Sequence, residues 1–360
     1  MHRKRIVVGL SGGVDSAVTA CLLKKQDHEL IGVFMRNWHD DESHCTNAID
    51  EQDARKVCAD LNIPFHTVDF SKNYMDKVFV SMLADLQRGY TPNPDILCNQ
   101  EIKFKVLLDY AMTHDADYLA TGHYAQIKAL NGEPALAEAA DANKDQTYFL
   151  SRLPRSALSK ILFPIGAYKK PEIRRLAQSF SLDNAAKKDS TGICFVGERR
   201  FRDFISEHLL DKPGNIIDDS GSVIGQHRGL FYYTIGQRKG LAIGGRSEAD
   251  ELPWFVLAKD MQHNQLIVGQ GDQHPALYKQ SLIAKHVHWL TQPMKSNSPI
   301  QAYARIRHRQ SLQHATVRID DDRLDAQFVQ PQRAITPGQS IAVYQDHFCI
   351  ASAIIEASTE

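Results

Sequence analysis

Residues 6–10 form an unbroken apolar run, Ile6-Val7-Val8-Gly9-Leu10, with none of the polar alternation of a half-exposed strand. Such a run suits a strand covered on both faces. Helix formers follow at 16–25, and the alternation recurs: strand-like at 30–35 and 65–68, helical at 48–61 and 75–87. A helix over 103–112, a short strand at 118–120 and helical segments at 169–179 and 199–208 extend it. Strand and helix in regular succession predict an α/β fold, a Rossmann-like doubly wound parallel sheet that binds its ligands at the carboxyl ends of the strands.

The pattern changes near Lys212-Pro213-Gly214, beyond which glycines, aromatics and short alternating runs dominate, as at 229–235. Runs at 254–259 and 265–269, separated by Met261-Gln262-His263-Asn264, predict a hairpin. A further shift near 278–283 introduces short strands at 302–309, 315–319 and 340–344, as in a small barrel or sandwich. The expected organisation is a nucleotide-type α/β domain over 1–210, a small mostly-β linker domain over 211–277 and a C-terminal β-barrel over 278–360.

Composition narrows the partners. With 43% hydrophobic and 24% charged residues in a 360-residue chain, this is an ordinary globular composition. The net charge of -1 requires any nucleic-acid partner to be held by local basic patches. No apolar stretch has the length of a membrane span, so a cytoplasmic protein is expected. Its six cysteines are then expected to be thiols, any disulfide being transient and catalytic.

The densest chemistry follows the first strand, in Ser11-Gly12-Gly13-Val14-Asp15-Ser16. Glycines that turn with positive φ gather backbone N–H groups inward, and a helix opening near Asp15 adds its unpaired N–H groups and positive dipole end. The Lys-Ser/Thr ending of a Walker A loop is absent. The loop resembles the PP-loop of ATP pyrophosphatases, which implies ATP, cleaved between the α- and β-phosphates, with Gly9, Leu10, Ser11, Gly12, Gly13, Val14, Asp15 and Ser16 around the nucleotide. Magnesium would accompany ATP, with Asp15 one candidate to anchor it indirectly, through the metal's own ligands. Met35, ending the second strand, is placed for adenine stacking or for the core, and Gly122 follows a strand end as a nucleotide-contacting glycine would.

Two cysteines sit in turn-rich segments: Cys98 in Asn93-Pro94-Asp95-Ile96-Leu97-Cys98 and Cys194 in Ser190-Thr191-Gly192-Ile193-Cys194-Phe195. Cysteines on loops at helix entrances are placed to be reached, unlike Cys21, Cys58 and Cys349 within apolar elements. Together with the loop, these stretches and Gly122-His123-Tyr124, Lys144-Asp145-Gln146 and Tyr233-Thr234-Ile235-Gly236-Gln237-Arg238-Lys239-Gly240 closely resemble the tRNA-specific 2-thiouridylase family, in the family's order from end to end.

The resemblance implies that ATP adenylates the C2 oxygen of the wobble uridine in tRNAs for Glu, Gln and Lys. It further implies that Cys194 carries a persulfide, and that Cys98 attacks it to form a disulfide with Cys194. A sulfur-relay protein or cysteine desulfurase would supply the sulfur. Asn93, Pro94 and Asp95 would face the target base, Asp95 as a proton shuttle beside Cys98; an Asx-turn cap is the alternative for that segment. His123, Lys144, Asp145, Gln146, Arg307, His308 and Gln339 would contact tRNA. Arg305, Arg307 and Arg309 alternate, so on a strand they would share one face with Tyr303 and suit a phosphate backbone. Arg199, Arg200 and Arg202 would extend that footprint. The crowded ligand types from His39 to Cys45 lack metal-site spacing, so an acidic loop and no bound metal is expected there. A GMP-synthetase-like enzyme would not need the cysteine pair, nor would a non-catalytic tRNA binder.

Overall fold

The computed structural model describes residues 3–38, 47–188, 201–243, 252–293 and 298–359. Its first sheet contains β1 (Arg5–Leu10), β2 (Glu29–Arg36), β3 (Phe65–Asp69) and β4 (Tyr118–Thr121). After a hairpin of β5 (Gln126–Leu130) and β6 (Glu133–Ala137), the short β7 (Ile161–Leu162) completes it. The order is β3-β2-β1-β4-β7 and every pairing is parallel. Side chains of β1 divide between two cores, Val7 into one and Ile6, Val8 and Leu10 into the other. Both faces of the strand are thus covered, which is why its sequence shows no polar alternation.

The middle sheet has β8 (Gly214–Asp218), β9 (Val223–His227), β10 (Trp254–Asp260) and β11 (Gln265–Gln270), in the order β10-β11-β8-β9. The expected hairpin is β10–β11, antiparallel.

The last sheet comprises β12 (Tyr278–Trp289), β13 (Ile300–Arg305), β14 (Gln313–Asp320), β15 (Arg323–Arg333), β16 (Ser340–Gln345) and β17 (Phe348–Thr359). A β12–β17 pairing closes it into a barrel. Interior residues recur every second position, as in Ala302 and Ala304, Val317 and Ala315, Ile341 and Val343, Ala351 and Ala353. The alternate positions Ala342 and Tyr344 of β16 instead join the core of the first unit. The β5–β6 hairpin, early in the chain, extends the barrel sheet through β6 and β17. Barrel and parallel-sheet unit are therefore joined by backbone pairing as well as by packing.

Candidate functional site

The phosphate-type loop lies at the carboxyl end of β1. Gly12 takes φ +71°, and a Cβ there would stand 2.4 Å from the Asp50 carbonyl oxygen, so only glycine fits. Gly13 does not share the positive φ expected of both glycines: at φ -86°, ψ 160° it is an extended N-cap. Helix α1 (Val14–Lys25) starts one residue ahead of Asp15, and the Ala17 N–H donates the first intrahelical bond to the Gly13 oxygen. The N–H groups of Val14, Asp15 and Ser16 have no acceptor within the helix and form, with its dipole, an anion-binding end. Ser16 ties the loop into a ring: its Oγ accepts from the Ser11 N–H at 3.2 Å and donates to the Gly13 oxygen at 3.0 Å.

Two lysines distant in sequence flank the loop. Lys170 Nζ stands 2.8 and 2.9 Å from the Asp15 carboxylate oxygens, and the Tyr124 hydroxyl donates to the same group at 2.8 Å. Asp15, the candidate magnesium anchor, is thus already partnered by the protein, and no metal-type cluster of acids, His and Cys occurs among the described residues. Lys187 Nζ donates to the Gly12 oxygen at 3.3 Å, to Asp50 at 2.7 Å and to Asp53 at 2.5 Å; the Asn184 amide also reaches Gly12 O. Burial opposes the Lys187 charge, yet the two carboxylates outweigh it and its pKa rises. Gly122 follows β4 closely enough to α1 that a Cβ would lie 2.6 Å from the Ser16 nitrogen. Met35, at the end of β2, is half-buried and packs on the core, in line with its alternative role.

Cys98 is not on a loop. Asn93 Oδ1 accepts from the Ile96 N–H at 3.2 Å and Pro94 occupies the first turn, so a helix starts at Pro94–Leu97 and continues through the π-helical Cys98–Val106. The Pro/Asn content that suggested a loop is a helix start, proline's fixed φ suiting position N1. The Asx-cap alternative holds for Asn93, while Asp95 lies half-buried in the first turn. Cys98 itself is only 1% exposed. Cys194 with residues 190–195, Arg199, Arg200 and the segment from His39 to Cys45 lie outside the described residues.

The barrel-side residues gather around this helix, with corrections. Asp145 is buried: it accepts from Ala139 N, Thr147 N and Thr147 Oγ1, and pairs with Arg305 at 3.0 Å. Its carboxylate holds protein and is not presented to RNA. Arg305 also meets Glu138 at 2.6 Å, and β13 ends at that residue. The expected face of alternating arginines therefore does not form: Arg307 lies beyond the strand, Arg309 takes φ +63°, and the buried arginine spans two elements instead. Arg307 is exposed and donates to the Arg333 oxygen; His308 stacks on Phe149 with ring centroids 4.4 Å apart. Lys144 is half-buried, and Gln146 Oε1 accepts from the Tyr124 N–H at 2.9 Å. His123 lies between Phe104 and Phe163 and bonds Thr121 Oγ1; burial, aided by Lys103, pushes its pKa well below the ordinary value, so it is neutral at neutral pH. Gln339 donates to the Thr91 oxygen at 2.7 Å and accepts from the Tyr148 hydroxyl at 3.3 Å.

Three family models match in succession: a tRNA methyl transferase HUP domain over residues 4–198, a tRNA methyl transferase PRC-barrel domain over 202–270 and an aminomethyltransferase beta-barrel domain over 279–355. The chain is 48% identical over 358 residues to a tRNA-specific 2-thiouridylase MnmA of Pseudomonas fluorescens, covering 99% of this chain and 96% of that one. It is 49% identical over 359 residues to MnmA 1 of Geobacillus kaustophilus, covering 99% and 96%. With MnmA of Shouchella clausii the figure is 50% over 355 residues, covering 98% and 96%. The chain belongs to the tRNA-specific 2-thiouridylase family.

Within this thiouridylase, one hydrogen-bonded path links the loop to the cysteine helix. Asp15 bonds Tyr124, Tyr124 bonds Gln146, and the segment after Gln146 carries Phe149, whose oxygen accepts from Asn99 next to Cys98 at 3.1 Å. Lys170, Lys187 and Asn184 were not found in the sequence because each reaches the loop across more than a hundred residues. Nothing local to them marks a loop contact.

Proposed function

We propose that this thiouridylase converts the C2 oxygen of the wobble uridine of tRNA to sulfur at the expense of ATP. ATP sits on the loop from Gly9 to Ser16, as Mg-ATP, the metal arriving with its phosphates. The uridine O2 attacks the α-phosphate and pyrophosphate leaves. Cys194 carries a persulfide; its outer sulfur bonds C2 as the C2–O bond breaks and AMP departs with that oxygen. Cys98 attacks the inner sulfur, giving a Cys98–Cys194 disulfide that an external thiol reduces. The persulfide comes from a sulfur-relay or desulfurase protein, in the cytoplasm, and the substrates are tRNAs for Glu, Gln and Lys. Residues 1–210 serve adenylation, 211–277 connect, and 278–360 hold tRNA.

The observation that carries this reading is the continuous frame from Asp15 through Tyr124 and Gln146 to the helix of Cys98. It joins an anion-binding loop to a thiol in one rigid site. Burial of Cys98 adds a requirement: a disulfide needs Cα atoms within about 7 Å and open access, so the Cys98 helix start must be uncovered during turnover.

The test is single-turnover reaction of ATP, magnesium, a lysine-type tRNA and enzyme preloaded with persulfide sulfur by a cysteine desulfurase and free cysteine, scored by the mass of the wobble nucleoside. Exchange of one oxygen for sulfur with AMP and pyrophosphate is expected, and Cys98→Ser should abolish persulfide-dependent transfer while leaving ATP binding intact. Full persulfide-dependent turnover by Cys98→Ser would overturn the cysteine assignment.

A further inference from the structure

Gly89 and Thr91, shortly ahead of the Asn93 cap, are held by residues of the two later units. From β10 of the middle sheet, Lys259 Nζ donates to the Gly89 oxygen at 3.0 Å and approaches Thr91 Oγ1 at 3.5 Å. From the barrel, Pro337 O accepts the Thr91 N–H at 2.9 Å and the Gln339 amide donates to Thr91 O at 2.7 Å. Gly338 makes that approach possible: at φ +91° its missing Cβ would fall 2.8 Å from the Thr91 nitrogen. The buried Tyr148 hydroxyl lies within 3.3 Å of Gln339 Oε1 and of the Ser340 and Ile306 oxygens beside the same turn.

Immediately past this grip the packing loosens. A cavity of about 130 Å³ separates Thr91, Pro92 and Pro94 from Phe231, Thr234 and Gln237 of the middle unit. The helix start is packed through Ile96 and Cys98 on its core side, while the side facing the cavity lacks close-packed contact. On that side the hydrogen bonds at Gly89 and Thr91 hold it. Lys259 is a costly way to make them, since among the described residues no carboxylate pairs with it and burial pushes its ammonium down to about 8. An apolar residue would fill the space without that penalty, so the donor function of the ammonium is what the site uses.

We propose that Lys259 and the Pro337–Gln339 turn form a positioning clamp, which sets the place of the Cys98 helix by gripping Gly89 and Thr91. Lys259 is a positioning residue, acting on Cys98 through the backbone of Gly89 and Thr91. This inference deepens the thiolation reading and rests on it for its catalytic consequence, though not for its structural one.

The experiment uses the full chain with Lys259→Met, Lys259→Gln and Lys259→Arg. Iodoacetamide labelling of each cysteine is followed by peptide mass, with the buried Cys21, Cys58 and Cys349 as internal controls. In Lys259→Met, Cys98 should label about tenfold faster than in the wild type while the controls stay protected, as expected for a local opening. In single-turnover thiolation the same variant should lose rate about tenfold at an unchanged KM for ATP, since the loop is untouched. Lys259→Arg, which keeps a cationic donor, should restore both.

If Lys259→Met unfolds, all four cysteines label together and Lys259→Gln decides. Cys98 labelling within twofold of wild type in folded Lys259→Met, or in Lys259→Gln where Lys259→Met unfolds, overturns the clamp. Selective labelling of Cys98 in Lys259→Met while the wild type itself transfers no sulfur would leave the clamp standing and overturn the thiolation reading.

Discussion

At the scale of single residues, two arginines next to each other in the pattern have opposite tasks. Arg305, with a side chain 5% exposed, faces the 2% exposed Asp145, a pair sealed from water, and the partly exposed Glu138 carboxylate. Removing one partner of a buried pair leaves an uncompensated charge, which costs about 3–5 kcal/mol. Arg305→Ala should therefore lower urea stability by about that amount, and Asp145→Asn in the same chain should recover part of it. Arg307 is exposed, and among the described residues its Nη1 donates to the Arg333 oxygen alone. Arg307→Ala should leave stability within about 0.5 kcal/mol and reduce the salt-dependence slope of tRNA binding by about one. A stable Arg305→Ala, or an unchanged slope for Arg307→Ala, would reverse this division. Sequence alternation alone treats the two arginines alike; what separates them is that β13 ends at Arg305 while acids from the first unit lie opposite.

At the scale of elements, the helix start at Asn93 decides how Cys98 is presented. Asn93→Ala removes the acceptor for Ile96 N–H and should cost about 1 kcal/mol, seen as a lower thermal midpoint. An unchanged midpoint would mean that Pro94 and the clamp hold the turn without the cap. The βα alternation, the loop after β1, the β10–β11 hairpin and the barrel strands β13, β14 and β16 were legible, because each is written in local periodicity or in turn residues, whereas β15 and β17 were not read. The early start of the Cys98 helix was hidden because proline and asparagine serve loops and first turns equally. The β5–β6 hairpin carried a signal that went unused: Asn131 and Gly132, at φ 53° and 83°, are the residue pair a tight hairpin turn prefers. Its pairing with β17, more than two hundred residues on, has no local trace. The same holds for Lys170 and Lys187 beside the loop, whose partners Asp15 and Asp50 are set by tertiary packing.

At the scale of the whole molecule, the junction between the parallel-sheet unit and the barrel depends on neutral imidazole. His288 of β12 donates from Nε2 to the Leu153 oxygen at 2.6 Å. Burial, reinforced by Arg152, pushes its pKa below 6.5 despite that hydrogen bond. His123, His227 and His308 are depressed as well, in each case first by burial. The unfolded chain then binds more protons than the folded one once pH falls through 6.5, and stability rises with pH across that interval. The contribution is complete above 6.5 and diminishes as pH falls toward each folded value, where the folded imidazole protonates too. Carboxylates held low by partners, such as Glu51 beside Arg36, act in the same direction only at lower pH. The midpoint of urea unfolding should accordingly decline from about pH 7.5 to about pH 5. His288→Gln keeps an amide donor for Leu153 and has no proton to gain, so it should flatten the decline. An equal slope in that variant would assign the acid sensitivity to the other three histidines and leave the barrel junction indifferent to pH.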